Sequence, residues 1–128
     1  MARVLVIDDN DTMREGMAVT LKKAGHEVFA FRNGLEGVAG FQAKGAEVVV
    51  TDLKMEAMDG IEVVKQVKAH DPSVVVLVVT AFGTIETAVE AMRHGAYDFV
   101  QKPFPPDLLR AKVDAALELS RTRQRVTR

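Results

Sequence analysis

Five polar side chains stand at the ends of short apolar runs: Asp8 and Asp9 after Val4-Leu5-Val6-Ile7, Asp52 after Val48-Val49-Val50, Thr80 after residues 74–79, and Lys102 after Phe99-Val100. If the runs are strands of one sheet, three carboxylates, a hydroxyl and an ammonium meet at one edge. Carboxylates that share a site repel one another unless a cation neutralises them. A hard divalent ion is the natural remedy, and Mg2+ suits two carboxylates, a backbone carbonyl and a phosphate oxygen better than a closed Ca2+ cage would. Lys102 can meet an incoming phosphate as a point charge, and the Thr80 hydroxyl offers the same group a hydrogen-bond donor.

Taken singly, each residue has an ordinary structural alternative. Asp8 or Asp9 can cap a helix, and Thr80 can simply end a strand. Asp52 behind three valines is harder to explain that way, and a lysine before a proline is weak by itself. The set as a whole carries the signal. The run Asp8-Asp9-Asn10-Asp11 has the look of a calcium loop, but Met13 stands where its glycine is required, and no acid closes it. His26, His70 and His94 are scattered without metal-ligand spacing and read as surface or capping histidines.

The elements that position these residues follow from the hydrophobic pattern. Five β-branched runs, at residues 4–7, 28–31, 48–50, 74–79 and 99–100, read as strands. Most lack polar/apolar alternation, so both faces should be covered, as in a parallel sheet between two helix layers. Between them lies helical spacing. Met13, Met17 and Leu21 are closed by Gly25; residues 34–44 open at Asn33, end at Gly45 and are weakened by Gly37 and Gly40. Asp59 with Glu62 caps a third helix carrying Ile61, Val64 and Val67 up to Asp71-Pro72. A fourth begins near Thr84 with Ile85, Ala88, Val89 and Met92 on one stripe, and a fifth begins at Pro106 with Leu109, Val113, Ala116 and Leu117 toward the core. Strands alternating with helices give an α/β, doubly wound fold, whose ligands bind where the strands end.

The chain has 128 residues, the size of one domain, and 17 basic against 18 acidic side chains leave a net charge of -1. Nothing global draws it to nucleic acid or an anionic membrane. The absence of cysteine excludes disulfide scaffolds and thiolate chemistry and fits a cytoplasmic location. The first apolar run is too short for an export signal, and no stretch approaches the roughly 20 apolar residues of a membrane helix. After Leu119 the chain turns polar and basic, and residues 121–128 read as a solvated tail, the frayed end of helix five or the start of a linker.

Asp8-Asp9, Asp52-Leu53-Lys54-Met55 with Met58-Asp59-Gly60, Thr80-Ala81 and Lys102-Pro103-Phe104 together resemble a bacterial two-component response-regulator receiver domain, over about residues 3–119. The resemblance implies a flavodoxin-like, five-stranded parallel sheet of order 2-1-3-4-5 and a receiver domain spanning residues 1–120. It implies that Asp52 is the phosphoacceptor and that Asp8, Asp9, Asp52 and the Lys54 carbonyl hold Mg2+. Thr80, the Ala81 N–H and Lys102 would meet the phosphoryl oxygens, and Lys102-Pro103 would be a cis peptide. The implied donor is a partner histidine kinase. Thr80 and Phe99 would form the switch, although Phe99 also reads as an ordinary core aromatic, and the surface of helix four, strand five and helix five would then pair as a homodimer. The domain would catalyse only its own phosphorylation and dephosphorylation and is not an enzyme with a free substrate. One departure is visible: Glu56 occupies the family's usual proline position.

Residues 80–89 and 95–99 are similar to receivers of nitrogen-regulation-type transcriptional activators, in which an output domain follows. The chain then reads as an excised receiver, with a freestanding regulator as the alternative. A haloacid-dehalogenase-like phosphatase uses similar residues with Asp8 as nucleophile, but its second acid would be Asn10 and its later acid pair is missing. The remaining alternative is a binding module that keeps the fold without phosphorylation.

Overall fold

The structure is a computed structural model, and it describes residues 2–81 and 85–126, the last three as backbone only. Strands and helices alternate as β1 (Arg3–Ile7), α1 (Asp11–Lys23), β2 (Glu27–Phe31), α2 (Gly34–Lys44), β3 (Val48–Asp52), α3 (Gly60–His70), β4 (Val75–Thr80), α4 (Ile85–Arg93), β5 (Asp98–Gln101) and α5 (Pro106–Val126). The five strands pair in parallel in the order β2-β1-β3-β4-β5. This is the doubly wound arrangement expected from the alternation.

The apolar runs lack alternation because each face of the sheet has its own core. Successive strand residues point to opposite faces. Leu5, Ile7, Val49, Val76 and Val78 therefore pack with Val38, Phe41, Val63, Val64, Val67, Ala88 and Ala91 of α2, α3 and α4. Val4, Val6, Val48, Val50, Val75, Leu77 and Val79 pack with Met17, Leu21, Leu109, Val113, Ala116 and Leu117 of α1 and α5. A fully buried valine or leucine contributes about 1.5–3 kcal/mol, so the two layers hold the strand ends in fixed register.

Among the described residues three helices begin at side-chain caps: Asn10, Asn33 and Asp59 accept from the backbone N–H of Met13, Glu36 and Glu62 at 2.8, 2.8 and 2.9 Å. Asn10 takes the capping position of α1, which leaves Asp8 and Asp9 free of that role.

Three expectations need correction. Gly37 and Gly40 do not interrupt α2: an added Cβ would lie 2.3 Å from Ile7 Cδ1 and 2.3 Å from Phe31 Cζ respectively, so their bareness lets α2 press onto β1 and β2. In α4 the buried residues are Ala88 and Ala91, while Ile85, Val89 and Met92 are exposed at 45%, 47% and 39%. Of the expected stripe only Ala88 faces the core, and its three larger members face outward. The expected start at Thr84, with Phe82 and Gly83, lies outside the described residues. Finally, α5 does not fray after Leu119 but continues to Val126. Ser120 is fully buried, Arg121 Nε lies 3.6 Å from Glu47 Oε2, and Arg123 Nη1 donates to the Val74 carbonyl at 3.5 Å, so the basic residues are tied to the edge from which β3 and β4 start.

Candidate functional site

The parallel register brings the far ends of β1, β3, β4 and β5 to one edge. Ile7 pairs with Thr51, Asp52 with Val79, and Thr80 with Gln101. Past β1, the Asp8 N–H still donates to the Phe31 carbonyl at 3.1 Å, its Oδ1 accepts from Asn10 N–H at 2.9 Å, and its carbonyl accepts from Arg14 Nη1 at 3.0 Å. Asp8 is wholly buried, whereas Asp9 faces solvent. Asp52 is the last residue of β3 and is 7% exposed; its Oδ1 accepts from Leu53 N–H at 2.9 Å. Gly60 N–H donates to the Leu53 carbonyl at 2.9 Å, and α3 starts there because glycine adds no Cβ against the Asp52 carbonyl.

Lys102 crosses this edge. Its backbone N–H donates to the Thr80 carbonyl at 2.8 Å, which fixes the stem, and the Lys102-Pro103 peptide is cis. Its Nζ lies 3.4 Å from Asp52 Oδ2 and 3.5 Å from Asp8 Oδ2. The second distance is an ion pair rather than a good hydrogen bond. Asp8 Oδ2 is accordingly a buried oxygen with no hydrogen-bond partner. Burial, and next the charge of Asp8, push the Asp52 carboxyl above the ordinary aspartate range, against the opposing pull of Lys102 and the Leu53 N–H.

One carboxylate oxygen from each of Asp8, Asp9 and Asp52 lies within 4.8 Å of the others. A single ammonium cannot balance three such groups, and the orphaned Asp8 oxygen lacks a partner that a cation would supply. The donor set is all oxygen, partly open to water through Asp9, and fits a hard divalent ion.

Beside Asp52 a cleft of about 170 Å³ is lined by Asp52, Leu53, Lys54, Thr80, Ala81, Thr87 and Lys102. Every expected site residue except Asp8, Asp9, Phe99 and Pro103 lines it, and Asp8 and Asp9 adjoin it through Asp52 and Lys102. Thr80 is buried and Ala81 exposed. Phe99 pairs with Val78 in register and packs, half-buried, on the core under α3 and α4. By the period of two, Thr80 shares that face with Val78. Glu56 is exposed, and Ala57 beside it has a φ of 68°. Sequence reasoning missed Thr87, a helical threonine with nothing local to single it out, and the Asn10 and Arg14 contacts that steady Asp8. The three histidines stand apart from the cleft; His26 is half-buried near Asp114, His70 meets the Phe41 ring edge-on and His94 pairs with Glu90. Among the described residues no helix is long and apolar enough to cross a membrane.

Comparison with known proteins matches the same set of elements. The chain is 41% identical over 106 residues to the C4-dicarboxylate transport transcriptional regulatory protein DctD of Rhizobium meliloti, covering 83% of the chain and 23% of that protein. It is 36% identical over 124 residues to the regulatory protein AtoC of Escherichia coli, covering 97% of the chain and 27% of AtoC. It thus spans about a quarter of the length of these relatives. The crystal structure of NtrX from Brucella abortus in complex with ADP superposes with a TM-score of 0.94 at 33% identity, covering 98% of the chain and 29% of NtrX. The response regulator receiver domain family matches residues 4–114, and with an ordered edge of three carboxylates, a threonine and a lysine on the family's fold, the chain belongs to the response regulator receiver domain family.

Proposed function

We propose that this receiver is a phosphoryl-accepting switch in which Asp52 is charged by a partner histidine kinase and the change is read at α4, β5 and α5. The observation that carries the reading is the position of Lys102 Nζ, within 3.5 Å of carboxylate oxygens of both Asp8 and Asp52 in the lining of the cleft. In the transfer, a carboxylate oxygen of Asp52 forms a bond to phosphorus while the donor's P–N bond breaks; the electron pair leaves with the imidazole, which takes a proton from solvent. Water later attacks the same phosphorus, and the O–P electron pair returns to Asp52. Apart from this charging and discharge the domain turns over no free substrate.

Asp8, Asp9, Asp52 and the Lys54 carbonyl would hold Mg2+, which when bound offsets the negative charge of the carboxylates and the phosphoryl group. Lys102 pairs with a phosphoryl oxygen, and Thr80 with the Ala81 N–H orients the others. Thr80 drawn toward the phosphoryl group leaves space that Phe99 fills, since both lie on the α4 side of the sheet. The groove of about 530 Å³ between α1 and α5, where Met13, Met17, Phe104 and Leu109 flank Lys102, supports docking of the kinase beside the acceptor. Ile85, Val89, Met92, Tyr97 and Leu108 are exposed apolar residues on α4, α5 and the approach to β5, and support phosphorylation-linked pairing with a second copy. By analogy with DctD, a transcriptional regulatory protein, the output is control of transcription in the cytoplasm through an output domain or effector.

The test is to incubate the chain with Mg2+ and a small phosphodonor and to locate the added mass. Label at Asp52 supports the switch, label at Asp8 would favour a phosphatase, and no label an inert binding module.

A further inference from the structure

We infer that Thr87 is a phosphoryl-contacting residue, whose hydroxyl donates to the phosphoryl group on Asp52 and so ties α4 directly to the acceptor. The inference rests on the phosphoryl-acceptor reading of Asp52. Thr87 lines the 170 Å³ cleft together with Asp52, Thr80, Ala81 and Lys102, and it is the one α4 residue in that lining. The cleft has room for a phosphoryl group with water beside it, given a liquid-water share of about 30 Å³ per molecule. In this helix the Thr87 hydroxyl has no protein hydrogen-bond partner among the described residues. It stands half-buried at the cleft wall.

The packing of α4 gives such a contact leverage. The helix buries only two alanines, Ala88 and Ala91, while Ile85, Val89 and Met92 stay in solvent. Alanine methyls anchor a helix weakly compared with the valines that fix α3. One charge-assisted hydrogen bond to a newly arrived dianion therefore competes with a large part of what positions α4. This route is separate from the Thr80–Phe99 switch, because it starts on the output helix itself and needs no side chain of β5.

The test compares the wild-type chain with Thr87→Val, which keeps the shape and removes the hydroxyl, and Thr87→Ser, which keeps the hydroxyl. Each is charged with phosphoramidate in Mg2+, and two quantities are read: the rate of mass gain at Asp52, and the hydrogen-exchange protection of the α4 amides before and after charging. The valine variant is expected to label about tenfold more slowly, the loss of one transition-state hydrogen bond, and to show no rise in α4 protection, while the serine variant follows wild type. A valine variant that labels at the wild-type rate, or a serine variant as slow as the valine one, overturns the inference, as does wild-type α4 protection in the charged valine variant. A wild-type chain that takes no label at Asp52 instead overturns the acceptor reading from which the inference starts. Unchanged protection of the β1 and β3 amides in the uncharged variants checks that both fold.

Discussion

Lys102 holds its ammonium 3.4 Å from Oδ2 of Asp52, on a stem pinned by its own backbone bond to Thr80. The same nitrogen is the ion-pair partner of the fully buried Asp8. Removing it leaves two buried carboxylates facing each other. Breaking a buried pair costs about 3–5 kcal/mol, but Lys102 is 24% exposed and water screens part of its charge, so Lys102→Ala is expected to cost about 1–3 kcal/mol at neutral pH without divalent metal. Urea midpoints check this. The loss should shrink in acid, where the carboxylates are neutral; a loss that persists undiminished there would assign the lysine's contribution to packing.

Asp52 sets a pH dependence of definite sign. Burial and the charge of Asp8 raise its carboxyl in the folded protein, so the folded state holds this proton more tightly than the unfolded chain. Stability from this group is greatest in acid and declines as pH rises, from the unfolded aspartate value of about 3.9 up through the raised folded one. Above that window the cost of the buried charge is fully present. Asp52→Asn removes the charge and should be the more stable protein at neutral pH, with the advantage vanishing in acid. Parallel stability-against-pH curves for the two proteins would contradict a carboxyl raised by burial and by Asp8.

The orphaned oxygen of Asp8 supports a metal-dependent gain. A ligand that binds only the folded state stabilises it by about 2.7 kcal/mol at a hundred times its dissociation constant. Saturating Mg2+ should raise the thermal midpoint of the wild-type chain, and chelator should reverse the rise. Asp8→Asn keeps the shape but withdraws a charged ligand, and its midpoint should respond far less. An equal response in both proteins would move the ion elsewhere.

Much of this site was legible because parallel strands buried on both faces show as continuous valine runs, and the residue that ends each run must lie at the edge. Asp8, Asp52, Thr80 and Lys102 could therefore be placed together from the sequence alone. The α4 face could not. Apolar residues at helical spacing reveal a stripe but not which side meets the core, and two small alanines do the burying while Ile85, Val89 and Met92 face out. Gly37 and Gly40 misled for a related reason: helix propensity counts their cost in the helix and is blind to Ile7 and Phe31 on the neighbouring strands. The end of α5 was hidden because the acceptors of Arg121 and Arg123 lie far away in sequence, at Glu47 and Val74.

Ala57 follows Glu56 in the loop that leads from Asp52 to α3, and its φ of 68° lies in the left-handed region. A Cβ there costs roughly 1–2 kcal/mol, a penalty that glycine escapes. Ala57→Gly should raise stability by about 0.5–1 kcal/mol, the relief being partly offset by the freer unfolded chain. A calorimetric midpoint that falls instead would mean that Ala57 has contacts outweighing its backbone strain.

Gly60 and Gly16 separate close approach from helix propensity. Both stand within helices, Gly60 at the start of α3 and Gly16 inside α1. A Cβ on Gly16 meets nothing within 4 Å, so Gly16→Ala gains helix propensity alone, about 0.5–1 kcal/mol of stability. A Cβ on Gly60 would lie 2.3 Å from the Asp52 carbonyl oxygen and 2.7 Å from Leu53 Cα, both backbone atoms that cannot swing aside. Overpacking of this kind costs about 1–3 kcal/mol. The strain also falls on the strand end that carries the acceptor, because α3 can retreat only by loosening the Gly60 N–H bond to Leu53 that holds the loop against β3. Gly60→Ala should therefore lower both the urea midpoint and the rate at which phosphoramidate labels Asp52, while Gly16→Ala raises the first and leaves the second alone. If Gly60→Ala is less stable yet labels at the full rate, the Asp52 strand end is held by the sheet register alone and α3 has no part in aiming the acceptor.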